Sequence, residues 1–215
     1  MEQKVNIVIT DDHKLFRKGM RALLSDFDFI GDIYEAGNGV ELLQLLESDD
    51  VNPDLILLDM RMPEMDGAET TANLQKLYPG LRIIILTMED DAQLVLHMIK
   101  EGVNGYLLKN ADPDELEKAI KMVIQNGFYF AESISEIITR AGTDNSPDLK
   151  SDFSDKELTV LEMVCKELTA PEIAVKLSLS VRTVEGYKRK LMEKTSTKNM
   201  AGLVIFAVKN NLVLI

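Results

Sequence analysis

Five side chains in the first half of the chain have the chemistry to handle a phosphoryl group: Asp11, Asp12, Asp59, Thr87 and Lys109. They are far apart in sequence, but each ends or follows a short apolar run. Val5–Thr10 precedes the Asp11-Asp12 pair, Leu55–Leu58 precedes Asp59, Ile83–Thr87 ends in Thr87, and Tyr106–Leu108 precedes Lys109. If those runs are strands of an open parallel sheet, their carboxyl ends line one ligand crevice. Three crowded carboxylates repel, and a hard divalent cation relieves the repulsion; Mg2+ needs only two or three of them because it keeps several waters. A carboxylate can then act as a nucleophile toward phosphorus, with metal, ammonium and hydroxyl neutralising the phosphoryl oxygens. Taken singly, each residue has a plainer role: an Asp at a strand end caps a helix or a turn, and a lone Lys is a solvated charge. Their joint placement carries the argument.

The elements that must position these groups follow from periodicity. Ile33–Ala36 adds a fifth strand candidate, and three of the five runs are almost wholly apolar, as strands buried on both faces are. Amphipathic helices alternate with them. The clearest is Pro113–Gln125, with Leu116, Ala119, Ile120, Val123 and Ile124 on one stripe, Asp112 as N-cap and Pro113 at the first helical position. Five β-α units imply a parallel sheet covered on both faces.

After Gly127 an apolar-periodic stretch runs from Glu132 to Arg140. Turn-forming residues then mark a linker at Ala141–Asp152. Beyond it the period is helical only. Ser154-Asp-Lys-Glu157 and Thr169-Ala-Pro-Glu172 read as capping boxes, the second opening Pro171–Leu177. Ser180 caps Val181–Thr195, with Val184, Tyr187 and Leu191 inward, and a fourth helix spans Asn199–Lys209. The second and third helices, joined by a short turn, make a helix-turn-helix. On the outward face of the third lie Arg182, Thr183, Glu185, Gly186 and Arg189, flanked by Lys188, Lys190 and Lys194. Arg182 or Arg189 suits a bidentate contact to guanine, and Glu185 suits acceptance from cytosine N4. Thr183 and the lysines suit phosphate contacts, and Gly186 permits close approach. A plain amphipathic helix with a solvated basic face remains the simpler reading of charge alone.

Composition sets limits. The chain has 215 residues, enough for two domains. Its net charge of −12 hides an asymmetry: Lys150–Ile215 carries 11 Lys/Arg against 8 Asp/Glu, and the preceding residues carry 13 against 28. An acidic half joined to a locally basic one suggests two tasks, and the acidic half is electrostatically suited to cover the basic helix. A single cysteine, Cys165, excludes an intrachain disulfide, a CxxC pair and a zinc ribbon. No apolar run approaches the ~20 residues of a membrane span, and Met1–Thr10 lacks the apolar core of a secretory signal. The expectation is a cytoplasmic protein without a membrane partner.

The motifs Ile9-Thr-Asp-Asp-His13, Leu55-Ile-Leu-Leu-Asp-Met-Arg-Met-Pro-Glu-Met-Asp-Gly67, Ile85-Leu-Thr87 and Gly105-Tyr-Leu-Leu-Lys109 resemble those of a two-component receiver domain over Val5–Gln125. The resemblance implies a CheY/flavodoxin-like doubly wound α/β fold with a five-stranded parallel sheet. It implies Asp59 as phosphoacceptor, Mg2+ held by Asp11, Asp12, Asp59 and the main-chain carbonyl of Arg61, Lys109 and Thr87 on the phosphoryl group, and Tyr106 as an aromatic switch. Pro63 and Gly67 shape the loop after the acceptor, and Arg61 and Glu89 occupy positions that tune phosphoryl lifetime. Asn110 stands where many receivers have proline, and Met88, bulkier than the usual residue there, is expected to narrow access to Asp59.

Phe153–Val213 is similar to the LuxR-type helix-turn-helix of the NarL/FixJ response regulators, an all-α four-helix domain. The Glu172-Ile-Ala174 and Thr183-Val184 signatures are kept. Glu185 replaces the commoner lysine and implies a different base preference. Together the two resemblances imply a receiver at 1–126, a short helix and linker at 127–152, and a DNA-binding domain at 153–215. They imply a sensor histidine kinase, operator DNA and RNA polymerase as partners, with homodimerisation on activation and half-sites about one helical turn, or a multiple, apart. Such a protein is not an enzyme beyond phosphorylation and dephosphorylation of its own Asp59. Two other readings stand beside it: an orphan DNA-binding regulator not controlled by phosphorylation, and a Mg2+-dependent phosphatase or phosphotransferase of the haloacid-dehalogenase kind. The latter typically carries an acid two residues after its nucleophile, where this chain has Arg61.

Overall fold

The computed structural model describes residues 4–48, 50–88, 91–131, 134 and 149–213. Alternating strands and helices build the first unit: β1 (Val5–Thr10), α1 (Lys14–Ser25), β2 (Ile30–Ala36), α2 (Gly39–Leu46), β3 (Leu55–Asp59), α3 (Gly67–Leu77), β4 (Arg82–Thr87), α4 (Ala92–Glu101), β5 (Gly105–Leu108) and α5 (Pro113–Asn126). All strand pairs are parallel, in the order β2-β1-β3-β4-β5, with a two-residue strand, β6 (Tyr129–Phe130), beyond β5. Every residue of β3 is buried, which is why its sequence shows no polar alternation. The chain order reverses between β1 and β3, and this switch point opens the crevice at the strand ends.

The sixth strand, β6 (Tyr129–Phe130), was not expected from the sequence. It pairs with Gly105 and Tyr106 of β5. Gly127, at φ 85°, ends α5 and turns the chain back toward the sheet. Asn104 holds the turn: its Nδ2 donates to the Gly127 carbonyl at 2.8 Å, and its own carbonyl accepts from the Tyr129 N–H at 3.0 Å. Two residues are too few to show a period. At the other end of α5, Asp112 occupies the N-cap position but its side chain makes no capping bond. Pro113 and the acidic Asp114 and Glu115 of the first turn mark that start instead.

The second unit is helical: a short 3-10 helix (Leu149–Asp152), then α6 (Asp155–Cys165), α7 (Ala170–Leu177), α8 (Val181–Thr195) and α9 (Met200–Lys209). Both expected capping boxes are present, Ser154 with Glu157 and Thr169 with Glu172. Ser178 adopts the left-handed conformation (φ 54°), and Leu179 donates back to the Ala174 carbonyl at 2.9 Å. This closes α7 and sets the turn into α8. Most of the stretch expected at Glu132–Arg140 and of the linker expected at Ala141–Asp152 lies outside the described residues, and the linker's last four residues form the 3-10 helix.

Polar contacts join the two units. Asn199 Nδ2 donates to the Gly102 carbonyl at 2.8 Å and to that of Val103 at 3.2 Å, and Lys198 Nζ lies 3.4 Å from a Glu101 carboxylate oxygen. Asn126 Nδ2 donates to the Glu167 carbonyl at 2.8 Å. The first unit thus meets the start of α9 and the α6–α7 turn. It does not cover α8, whose Arg182, Thr183, Glu185 and Arg189 are exposed. The electrostatic cover expected from the charge asymmetry is therefore not the arrangement adopted.

Candidate phosphoacceptor pocket and nucleic-acid interface

The strand ends bring the expected groups together. Asp11 follows β1, Asp59 ends β3, Thr87 ends β4 and Lys109 follows β5. The Lys109 ammonium lies 2.7 Å from Asp11 Oδ2 and 2.7 Å from Asp59 Oδ2. Asp11 and Asp59 are buried, whereas the Asp12 side chain is about one-third exposed at the mouth. Ligand atoms of Asp11, Asp12, His13 and Asp59 fall within 4.8 Å of one another. Three carboxylates at that spacing form an oxygen donor set suited to Mg2+. His13 Nδ1 is 2.8 Å from Asp12 Oδ1, a neighbour the motif reading left without a role.

Local bonds hold the pocket in shape. Asp11 accepts from the His13 N–H at 2.8 Å through Oδ1, and its carbonyl accepts from Arg17. Asp59 Oδ1 accepts from the Met60 N–H at 2.8 Å. The Lys109 N–H donates to the Thr87 carbonyl at 2.8 Å, tying β5's end to β4. Lys109 also lies 4.9 Å from the Phe16 ring centre, a cation–π distance. Gly67 is required sterically: a Cβ there would lie 2.6 Å from the Asp59 carbonyl oxygen. Burial pushes the Asp59 carboxyl above its ordinary value; Lys109 opposes this by hydrogen bond and charge, and the neighbouring Asp11 carboxylate adds to it. Burial alone would lower Lys109, but its bonds to Asp11 and Asp59 outweigh that and raise it.

Thr87 and Tyr106 are both buried, and Tyr106 has no exposed surface. Met88 is 73% exposed. Arg61 is exposed, with its N–H bonded to Asp59, and Glu89 lies outside the described residues.

On α8 the expected groups divide. Arg182, Thr183, Glu185 and Arg189 are exposed, and Gly186 is partly so. Lys188 is not on that face: it is 8% exposed. Its place four residues after Val184 and three before Leu191 puts it on the inward stripe, a signal the sequence already held. Its ammonium emerges beside Glu185 Oε1 at 3.0 Å. Lys190 and Lys194 reach instead to Glu157 of α6, at 2.9 and 2.8 Å. Glu157 is wholly buried. Burial would raise its carboxyl, but Lys194, the Ser154 N–H and Lys190 together bring it down to about 2. The sequence marked Glu157 only as half of a capping box; its partners are 33 and 37 residues away.

Among the described residues no helix is long and apolar enough to cross a membrane. The profile of the response regulator receiver domain matches residues 7–121. That of the bacterial regulatory proteins of the luxR family matches residues 151–207. The oxygen regulatory protein NreC of Staphylococcus epidermidis is 34% identical over 218 residues, covering 97% of this chain and 99% of its own. A structure of the RcsB response regulator of Salmonella typhimurium matches with a TM-score of 0.59 at 25% identity, covering 95% of this chain and 98% of that one. A second RcsB structure, of two dimers bound to two parallel DNAs, matches with a TM-score of 0.59 at 25% identity, covering 96% and 99%. The chain belongs to the NarL/FixJ family of response regulators, with a receiver domain and a LuxR-type helix-turn-helix domain, and is a transcriptional regulator.

Proposed function

We propose that phosphorylation of Asp59 controls dimerisation and operator binding by this regulator. A sensor histidine kinase supplies the phosphoryl group, in a receiver at 1–126 joined through 127–152 to a DNA-binding domain at 153–215. The observation that carries this reading is the Lys109 ammonium set 2.7 Å from both Asp11 and Asp59 in a buried crevice. Asp11, Asp12, Asp59 and the Arg61 carbonyl would hold Mg2+, which supplies charge neutralisation for a phosphoryl group. Asp59 presents the attacking oxygen, with Oδ1 fixed by the Met60 N–H. Lys109 is placed to follow the charge from the carboxylate to the phosphoryl oxygens, and Thr87 and Tyr106 lie along the β4–β5 edge that would report the change. Arg182, Thr183, Glu185, Gly186 and Arg189 present the DNA face. Pairing on DNA is supported by the RcsB dimers bound to DNA at 25% identity.

The test is solution mass by light scattering, with Mg2+ and beryllofluoride as phosphoryl mimic. A shift from 24.1 kDa to twice that mass in the wild type, absent in Asp59→Ala, is expected. An unchanged mass, together with regulation that survives Asp59→Ala, would favour the orphan reading.

A further inference from the structure

We propose that Glu185 is the base-reading acceptor of α8, selecting cytosine in a C·G pair, and that Lys188 is the positioning residue that aims it. This rests on the DNA-binding reading above. Four observations lead to it. Glu185 and Arg189, four residues apart, share the exposed face of α8 with Arg182. The side chain of Lys188 is only 10% exposed, and its ammonium meets the Glu185 carboxylate at 3.0 Å. Lys190 and Lys194 are turned aside to Glu157. Finally, a Cβ at Gly186 would meet nothing within 4 Å, so the fold itself does not require a glycine beside Glu185.

The physical consequence is directional. A carboxylate approaching a phosphate-lined groove is repelled unless a cation accompanies it. Lys188 supplies that cation from the inward side. A nearly buried ammonium needs its anionic partner, so it restrains a side chain that would otherwise lose rotamer freedom on binding. With Oε1 occupied by Lys188, Oε2 remains as an acceptor on a side chain that is about half exposed. In the major groove the bases offering donors are cytosine through N4 and adenine through N6, and adenine adds an N7 acceptor that a carboxylate repels. The bare Gly186 leaves room for the base edge to come close.

The experiment is selection from a random duplex library with the full-length protein in Mg2+ and beryllofluoride, comparing wild type with Glu185→Ala, Lys188→Met and Lys188→Arg. The wild type is expected to enrich a C·G pair at one position of each half-site, with about tenfold preference. Glu185→Ala should lose that preference and keep the others. Lys188→Met, which retains the apolar stem, should weaken it at the same position with unchanged thermal unfolding, and Lys188→Arg should restore it. An unaltered motif in Glu185→Ala overturns the proposal, as does an even loss at every position, since either makes Glu185 a surface ion pair only. If the wild type enriches no sequence, the DNA-binding reading itself fails, and the proposal falls with it.

Discussion

Asn199 joins the two domains while starting a helix. Its Oδ1 accepts from the Gly202 N–H at 2.9 Å, capping α9, and its Nδ2 donates to the Gly102 carbonyl at 2.8 Å, just past the end of α4. One amide therefore serves a helix start in one domain and a helix end in the other. Gly102 and Val103 lead directly into β5, which carries Tyr106 and ends before Lys109.

Asn199→Asp separates the two duties. It keeps the capping acceptor but replaces the donor with a carboxylate facing two carbonyls. The helical domain should keep its own melting transition, and the domains should reorient independently. NMR relaxation of the full chain measures this: a single correlation time for both domains in the variant would count against the contact.

Glu157 gives a pH prediction with a definite sign. Its folded-state value, about 2, lies below the ordinary 4.5, so its stabilisation is fully present above about 4.5 and is lost as pH falls toward 2. Glu157→Gln preserves the capping box and removes the charge that pairs with Lys190 and Lys194. At pH 7 the variant should be less stable by about 2 kcal/mol, from lost hydrogen bonds to charged groups. Thermal unfolding of both proteins between pH 7 and pH 2.5 should show that gap closing on acidification.

The donor set at the strand ends predicts stabilisation by Mg2+. At ten times its dissociation constant, the ion should add about 1.4 kcal/mol to the receiver's stability through preferential binding to the folded state. Asp12→Asn changes a partly exposed ligand and should fold normally while losing most of that gain. Calorimetric scans with and without Mg2+ check both statements, and equal shifts in the two proteins would place the ion elsewhere.

Gly67 lies where the loop after Asp59 folds back, its N–H donating to the Met60 carbonyl at 2.9 Å. Gly67→Ala puts a methyl against the Asp59 carbonyl oxygen and 2.8 Å from Met60 Cα. Backbone on both sides leaves nothing flexible to yield, so the variant should lose about 1–3 kcal/mol in denaturant unfolding. It should also take up beryllofluoride poorly, because the acceptor's own peptide has moved.

The pocket was legible in the sequence because a topological rule does the assembly. Strand ends in a parallel sheet converge, so Asp11, Asp59, Thr87 and Lys109 needed only to follow apolar runs in the right order. Helix starts at Ser154 and Thr169 were legible because a capping box spans four residues. Lys188 was misplaced on the outward face because of its charge, although its spacing from Val184 and Leu191 put it on the inward stripe. Tertiary structure alone decided the rest. Glu157 takes Lys194 from 37 residues away, Asn199 finds Gly102 across 97, and Tyr129 and Phe130 become a strand only because β5 offers an open edge. Sequence period records which side of an element is buried, whereas these contacts depend on which surfaces packing brings together. That packing turns Lys190 and Lys194 toward Glu157 and leaves Glu185 exposed on α8.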